Sequence, residues 1–159
     1  DDQVIENTCS EVEGIVTAAN YNCPGQVVIS GEVSSVEKAC ELLKKKGARR
    51  ALILPVSGAF HSELMKRAKE ELSEAILKAD FNKPICPIYQ NFTAKDEIEV
   101  GKIKTNLIAQ LTSPVKWTQS ISQMIKDGAS RFIEIGPGNV LQGLIKKIDR
   151  NSEVESGLS

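Results

Sequence analysis

Aromatic side chains are scarce, at 4% of 159 residues, so any core has to be packed almost wholly from aliphatic groups. A charge bias is also lacking. Twenty Lys and Arg against 21 Asp and Glu leave a net charge of −1, which excludes a general electrostatic attraction to nucleic acid or to an anionic membrane. No apolar run approaches the roughly 18 residues that a membrane-spanning helix requires. Cys9, Cys23, Cys40 and Cys86 form no CxxC pair and none adjoins a histidine; the pattern argues against zinc and for reduced, buried thiols. The N-terminal Asp1-Asp2-Gln3 has neither a basic region nor a signal-peptide core, so a cytoplasmic protein is expected. It also has no initiating methionine, and the chain reads as starting in mid-architecture. Histidine is rarest of all, with His61 alone.

What is present is ordinary for a packed domain: 41% hydrophobic and 26% charged residues in a length that suits one domain or slightly more. The spacing predicts a short helix over 3–10, capped by Asp1 or Asp2. Strands follow over 15–20 and 26–30, joined by a turn at Asn22-Cys23-Pro24-Gly25. Ser34 and Glu37 match a capping box, and Val36, Ala39, Cys40 and Leu43 then lie on one helical face. That helix closes at Lys44-Lys45-Lys46, with Gly47 just past its end. The apolar run 51–56 reads as a buried strand. Residues 1–56 thus spell α-β-β-α-β, a ferredoxin-like unit with its first strand missing.

A long helix is expected over 62–79, then a strand over 83–92 that Pro84 and Pro87 confine to an edge or an irregular position. Ile103, Leu107, Ile108 and Leu111 mark a helix closed before Pro114. Trp117, Ile121, Met124 and Ile125 mark another, ended by Asp127-Gly128. A strand over 131–135 leads through Gly136-Pro137-Gly138 into a last helix along Val140, Leu141, Leu144, Ile145 and Ile148. Residues 57–150 therefore form an α/β layer, and 151–159 read as a polar, frayed tail.

The chemistry centres on Pro55-Val-Ser-Gly-Ala-Phe-His61-Ser62, between the end of an expected strand and the start of a helix. α/β enzymes gather catalytic groups at such places. A helix-capping histidine and a general base both suit that position. For the second role, the helix macrodipole would favour a neutral imidazole able to take a proton from a hydroxyl nucleophile. No GxSxG elbow is present to supply that hydroxyl, and no carboxylate pair has a spacing that implies acid–base work. The strand–GPG–helix at 132–144 misses both the GxGxxG and the P-loop spacing. Arg49 and Arg50 read as surface charges.

Four co-linear segments, NYNCPGQVVISG at 20–31, LPVSGAFHSELM at 54–65, QLTSPVKW at 110–117 and EIGPGNVLQGL at 134–144, resemble the malonyl-CoA:acyl carrier protein transacylases over nearly the whole chain. The resemblance implies an α/β-hydrolase-like acyltransferase core carrying a ferredoxin-like subdomain, of which this chain is the C-terminal half. It implies transfer of malonyl from malonyl-CoA to the phosphopantetheine thiol of acyl carrier protein through a seryl ester, with no permanently bound cofactor and no metal. His61 falls on the general base, and the backbone carbonyl of Gln110 on the group that orients it in place of a carboxylate. Phe60 falls where its bulk would crowd a methylmalonyl branch, and Asn20 and Asn22 fall near the acyl and pantetheine path. The nucleophilic serine, the oxyanion-hole glutamine and the arginine that pairs with malonyl match nothing here. The chain is therefore expected to be inactive alone and to need the missing N-terminal half. An acyltransferase domain cut from a polyketide or fatty-acid synthase, and a non-catalytic fragment that only binds acyl carrier protein, are the alternatives.

Overall fold

The computed structural model describes residues 1–157. The first helix, α1 (Asp2–Glu11), is capped by Asp1, whose carboxylate accepts from the Gln3 amide at 3.1 Å. An antiparallel hairpin follows, β1 (Val16–Cys23) and β2 (Gln26–Gly31), with Val16 opposite Gly31 and Cys23 opposite Gln26. The connection is thus only Pro24 and Gly25, and β1 reaches three residues further than expected, carrying Asn22 and Cys23 into the strand. Gly31 is dictated by crowding, since a Cβ there would lie 1.9 Å from the Ile15 carbonyl oxygen.

Helix α2 (Val33–Lys45) starts two residues too early for the expected capping box: Glu32 is the cap residue, and Ser34 lies inside the first turn. Ser35 is the serine that matters, buried and donating to the Glu13 carbonyl at 3.0 Å. The helix ends as anticipated. Gly47, at φ +96°, donates to the Lys44 carbonyl, and Ala48 donates to that of Leu43; this paired closure suits a left-handed glycine after the last turn. Cys9, Val16 and Ala39 form a core between α1, the hairpin and α2, with Ile5, Val12, Ile29 and Val36 around it.

The expected strand over 51–56 does not form. Leu52, Ile53, Leu54 and Val56 are 50–71% exposed in irregular chain, and no strand among the described residues runs beside them. An apolar, β-branched run favours extension but needs a ladder partner to become a strand. The strand over 83–92 shrinks similarly to β3 (Ile88–Tyr89), paired with β4 (Asp96–Glu97), because Pro84 and Pro87 cannot donate to a ladder.

Beyond the histidine segment, one 3₁₀ turn (Glu63–Met65) leads into α3 (Lys66–Lys78), later than the helix expected from residue 62. Helix α4 (Val100–Ala109) begins three residues before Ile103 and tightens into a 3₁₀ turn (Gln110–Thr112) ahead of Pro114. Helix α5 (Trp117–Lys126) packs on β1, as does α6 (Val140–Ile148). Strand β5 (Arg131–Glu134) pairs in parallel with β6 (Glu153–Ser156), Arg131 opposite Glu153. The region expected to fray thus supplies a strand, with Ser152 buried beside it; the remainder of that expectation, 158–159, lies outside the described residues. The whole is a mixed α/β structure, and no helix among the described residues is long and apolar enough to cross a membrane.

Candidate active site

Two backbone features bring His61 to its place. Its φ is +60°, the left-handed region that Asn, Asp and His enter more readily than other side chains with a Cβ. Ser62, 1% exposed, locks the following turn: its hydroxyl donates to the Ala59 carbonyl at 2.6 Å and accepts from the Leu64 amide at 3.3 Å. Ser62 is therefore the cap of the turn, and His61 stands just outside it as a projecting side chain.

The half-buried imidazole points across to the end of α4. Nδ1 lies 2.9 Å from the Gln110 carbonyl oxygen and 3.1 Å from that of Ser113. A carbonyl can only accept, so Nδ1 carries the proton, and in the neutral ring Nε2 is left with a free lone pair. The Gln110 oxygen also receives the Ser113 amide at 3.3 Å and sits at the C-terminal end of α4, where the backbone carries partial negative charge. Gln110 is the residue whose carbonyl the resemblance named as the orienting group. The Ser113 carbonyl did not figure in the sequence reading, although the Ser-Pro step that precedes α5 was its available signal.

The same loop is tied to the hairpin. The Val115 amide donates to the Ala19 carbonyl at 2.8 Å, and the Tyr21 amide donates to the Val115 carbonyl at 2.9 Å, in a parallel bridge at Asn20. Thr118 Oγ1 adds a bond to the Tyr21 carbonyl at 3.0 Å. Asn20 and Asn22 share the half-buried face of β1, while Tyr21 and Cys23 on the other face are buried. They are strand residues, not loop residues, because the hairpin turn is two residues long. Burial, then the Glu6 carboxylate that accepts its hydroxyl at 2.5 Å, hold the Tyr21 phenol well above its usual value, so it remains a donor. Phe60 adjoins His61 and is half exposed, its ring resting near the α-carbon side of Gly58.

Other candidate groups are placed elsewhere or blocked. Burial pushes the Cys9 thiol up to about 11 and raises that of Cys40, which keeps both protonated and poor as nucleophiles. The N-terminus of α6 after the GPG turn is filled by the chain's own carboxylate, Glu134, which accepts from the Leu141 and Gln142 amides at 3.1 and 3.2 Å. An anion-binding helix end is thereby satisfied internally. No group of three or more His, Cys, Asp or Glu that could hold a metal gathers among the described residues.

Fold and site together define a mixed α/β protein built to present one imidazole with a fixed Nδ1 proton. The chain belongs to the acyl transferase domain family, whose model matches residues 3–157. It is 48% identical over 146 residues to the malonyl CoA-acyl carrier protein transacylase of Bacillus subtilis, covering 92% of this chain and 46% of that protein. Among solved structures, it is similar to an acyl carrier protein S-malonyltransferase from Vibrio cholerae, at 43% identity and a TM-score of 0.95, covering 98% of this chain and 52% of the other. A malonyl-transacylase solved in complex with its type II polyketide acyl-carrier protein is 39% identical with a TM-score of 0.92, covering 98% and 50%. The chain spans about half the length of the curated relatives it matches.

Proposed function

We propose that this chain is the histidine-bearing half of a cytoplasmic malonyl-CoA:acyl carrier protein transacylase. The observation that carries the reading is the pair of main-chain acceptors on His61 Nδ1 in a chain of the acyl transferase domain family. With that proton held, Nε2 takes the proton of a serine hydroxyl as its oxygen attacks the malonyl thioester, and gives it to the departing thiolate of coenzyme A, which leaves as the thiol. The seryl ester is then attacked by the phosphopantetheine thiol of acyl carrier protein, with His61 taking and returning a proton in the same way. The serine, the oxyanion donors and the arginine for the malonyl carboxylate come from the N-terminal half.

In this reading, residues 1–56 are part of a ferredoxin-like subdomain and 57–150 part of an α/β-hydrolase-like core, and the 113–115 bridge to β1 is the seam between them. Phe60 selects malonyl over its α-methyl analogue, a single-methyl discrimination of about 1–3 kcal/mol. Asn20 and Asn22 face the acyl and pantetheine path. Malonyl-CoA is the substrate, acyl carrier protein the partner, and no cofactor is permanently bound.

The test is to combine or fuse the chain with an N-terminal half bearing a GHSxG serine and to follow malonyl transfer to acyl carrier protein. His61→Ala is expected to lower the rate by 100-fold or more, on the order of a lost general base; an unchanged rate removes His61 from the mechanism. Incubated alone with malonyl-CoA, the chain is expected to show no added malonyl mass, and a stable adduct would contradict the division of labour.

A further inference from the structure

We infer that Pro114 is a positioning residue for His61, acting by turning the Ser113 carbonyl into a second acceptor for Nδ1; this rests on reading His61 as the general base. A single carbonyl acceptor fixes one direction of an N–H bond but leaves the imidazole free to swing about it. Two acceptors, at 2.9 and 3.1 Å, bracket the N–H and fix the ring more closely. The first of them is shared, since the Gln110 oxygen also takes the Ser113 amide. The second is therefore not redundant.

The Ser113 carbonyl faces the ring because the helix stops where it does. Gln110 still has helical values, φ −59° and ψ −27°, whereas Ser113 has φ −128° and ψ 153°. That is the extended region to which a following proline confines a residue, through the clash of its Cδ with the preceding N–H and Cβ. Were Ser113 helical, the 3₁₀ turn would continue and its carbonyl would point along the helix axis, away from His61. One residue beyond the proline, Val115 is clamped to Ala19 and Tyr21 of β1. Pro114 thus spans two fixed ends, the helix terminus and the strand bridge, and decides the conformation of the one carbonyl between them. An alanine there would regain an amide hydrogen and the helical option.

His61 is the only histidine of this chain, so with this chain alone ¹⁵N-labelled in the complex with the serine-bearing half, its ring nitrogens can be read by ¹⁵N NMR without assignment ambiguity. In the unmodified chain, Nδ1 is expected to be protonated, with scalar coupling across the hydrogen bonds to the carbonyl carbons of both Gln110 and Ser113. Pro114→Ala should abolish the coupling to Ser113 and move both ring shifts toward a tautomer average, while the Tyr21 and Val115 amides stay protected. Ser113→Gly keeps the proline and the carbonyl but deletes the Cβ that enforces extension, and should act in the same direction. In the enzyme completed by the serine-bearing half, either change should lower kcat by up to about tenfold, the scale of one hydrogen bond, with KM for malonyl-CoA unchanged. Coupling to Gln110 alone in the unmodified chain, or ring shifts that neither variant moves, overturns the inference. Should Pro114→Ala unfold, the unmodified chain and Ser113→Gly still decide it. A completed enzyme indifferent to His61→Ala defeats the general-base reading instead, and the ring shifts then report on Pro114 separately.

Discussion

At the scale of single residues, the cost of the site is concentrated at His61. A left-handed φ on a residue with a Cβ costs roughly 1–2 kcal/mol, and such strain persists only where its surroundings enforce it. Ser62 is the enforcing neighbour, through its two hydrogen bonds and near-complete burial. Ser62→Ala should therefore lower the unfolding free energy by about 1–2 kcal/mol, as for the loss of a helix cap, read as a reduced urea midpoint. A loss below about 0.5 kcal/mol, within the range of ordinary surface substitutions, would mean that other contacts hold the turn. The histidine was visible in the sequence as a singular residue, and its proposed role as a base came from the resemblance. Local pattern alone did not separate a cap from a base, because the group that faces the ring is a carbonyl 49 residues away.

At the scale of elements, local chemistry located several helix ends, though not the capping box expected at Ser34. The Asp1 cap of α1 and the glycine-terminated ends of α2 and α5 are contacts within a few residues of their own helix. It served the hairpin β1–β2 and β5 but failed at 51–56 and 153–156, where a strand depends on a distant segment. The run 51–56 had the composition of a buried strand and stays irregular, whereas polar 153–156 became β6 against β5. Asp149 helps explain the second case. Its carboxylate accepts from the Ser152 hydroxyl at 2.6 Å and from the amides of Ser152 and Asn151 at 2.8 and 3.2 Å. The Ser152 hydrogen bond, foremost among these, holds its pKa below the usual 3.8. A carboxyl depressed in the folded state stabilises above its unfolded pKa, and that contribution disappears as pH falls through the folded one. Docking of β6 should hence be constant from neutral pH down to about 4 and weaken below the usual 3.8. Hydrogen exchange at the Glu153 and Gly157 amides, which bond to Ser130 and Glu134, reads this directly. Asp149→Asn should loosen both already at neutral pH; unchanged protection would show that the ladder alone suffices.

At the scale of the whole molecule, burial is uneven. Residues 5–43 enclose a core, whereas Leu52, Ile53, Leu54 and Val56 and, around β5 and α6, Ile133, Ile135, Val140 and Leu141 are exposed. Exposed apolar side chains in such number favour association. Sedimentation velocity on the chain alone should show species larger than 17.3 kDa that grow with concentration. Adding the serine-bearing half should replace them with one defined complex. A monomer at all concentrations would mean that these side chains cover one another in solution. The proposed domain boundary at residue 56 falls inside the exposed run, and composition alone offered no sign of it being bare.

By itself the sequence determined the mixed α/β alternation, the presence of the helices and the glycine-marked ends of α2 and α5, the aliphatic core and the singular histidine. Four ordered motifs also tied the chain to one acyltransferase family. These follow from interactions among near neighbours, or from residue identity, and both are written along the chain. Only the tertiary structure decided that Nδ1 has two acceptors, that the serine-proline step supplies one of them, and that 153–156 is a strand while 51–56 is not. Backbone carbonyls are chemically the same at every residue. Which ones act is set by direction and distance, and those exist only after distant segments have packed.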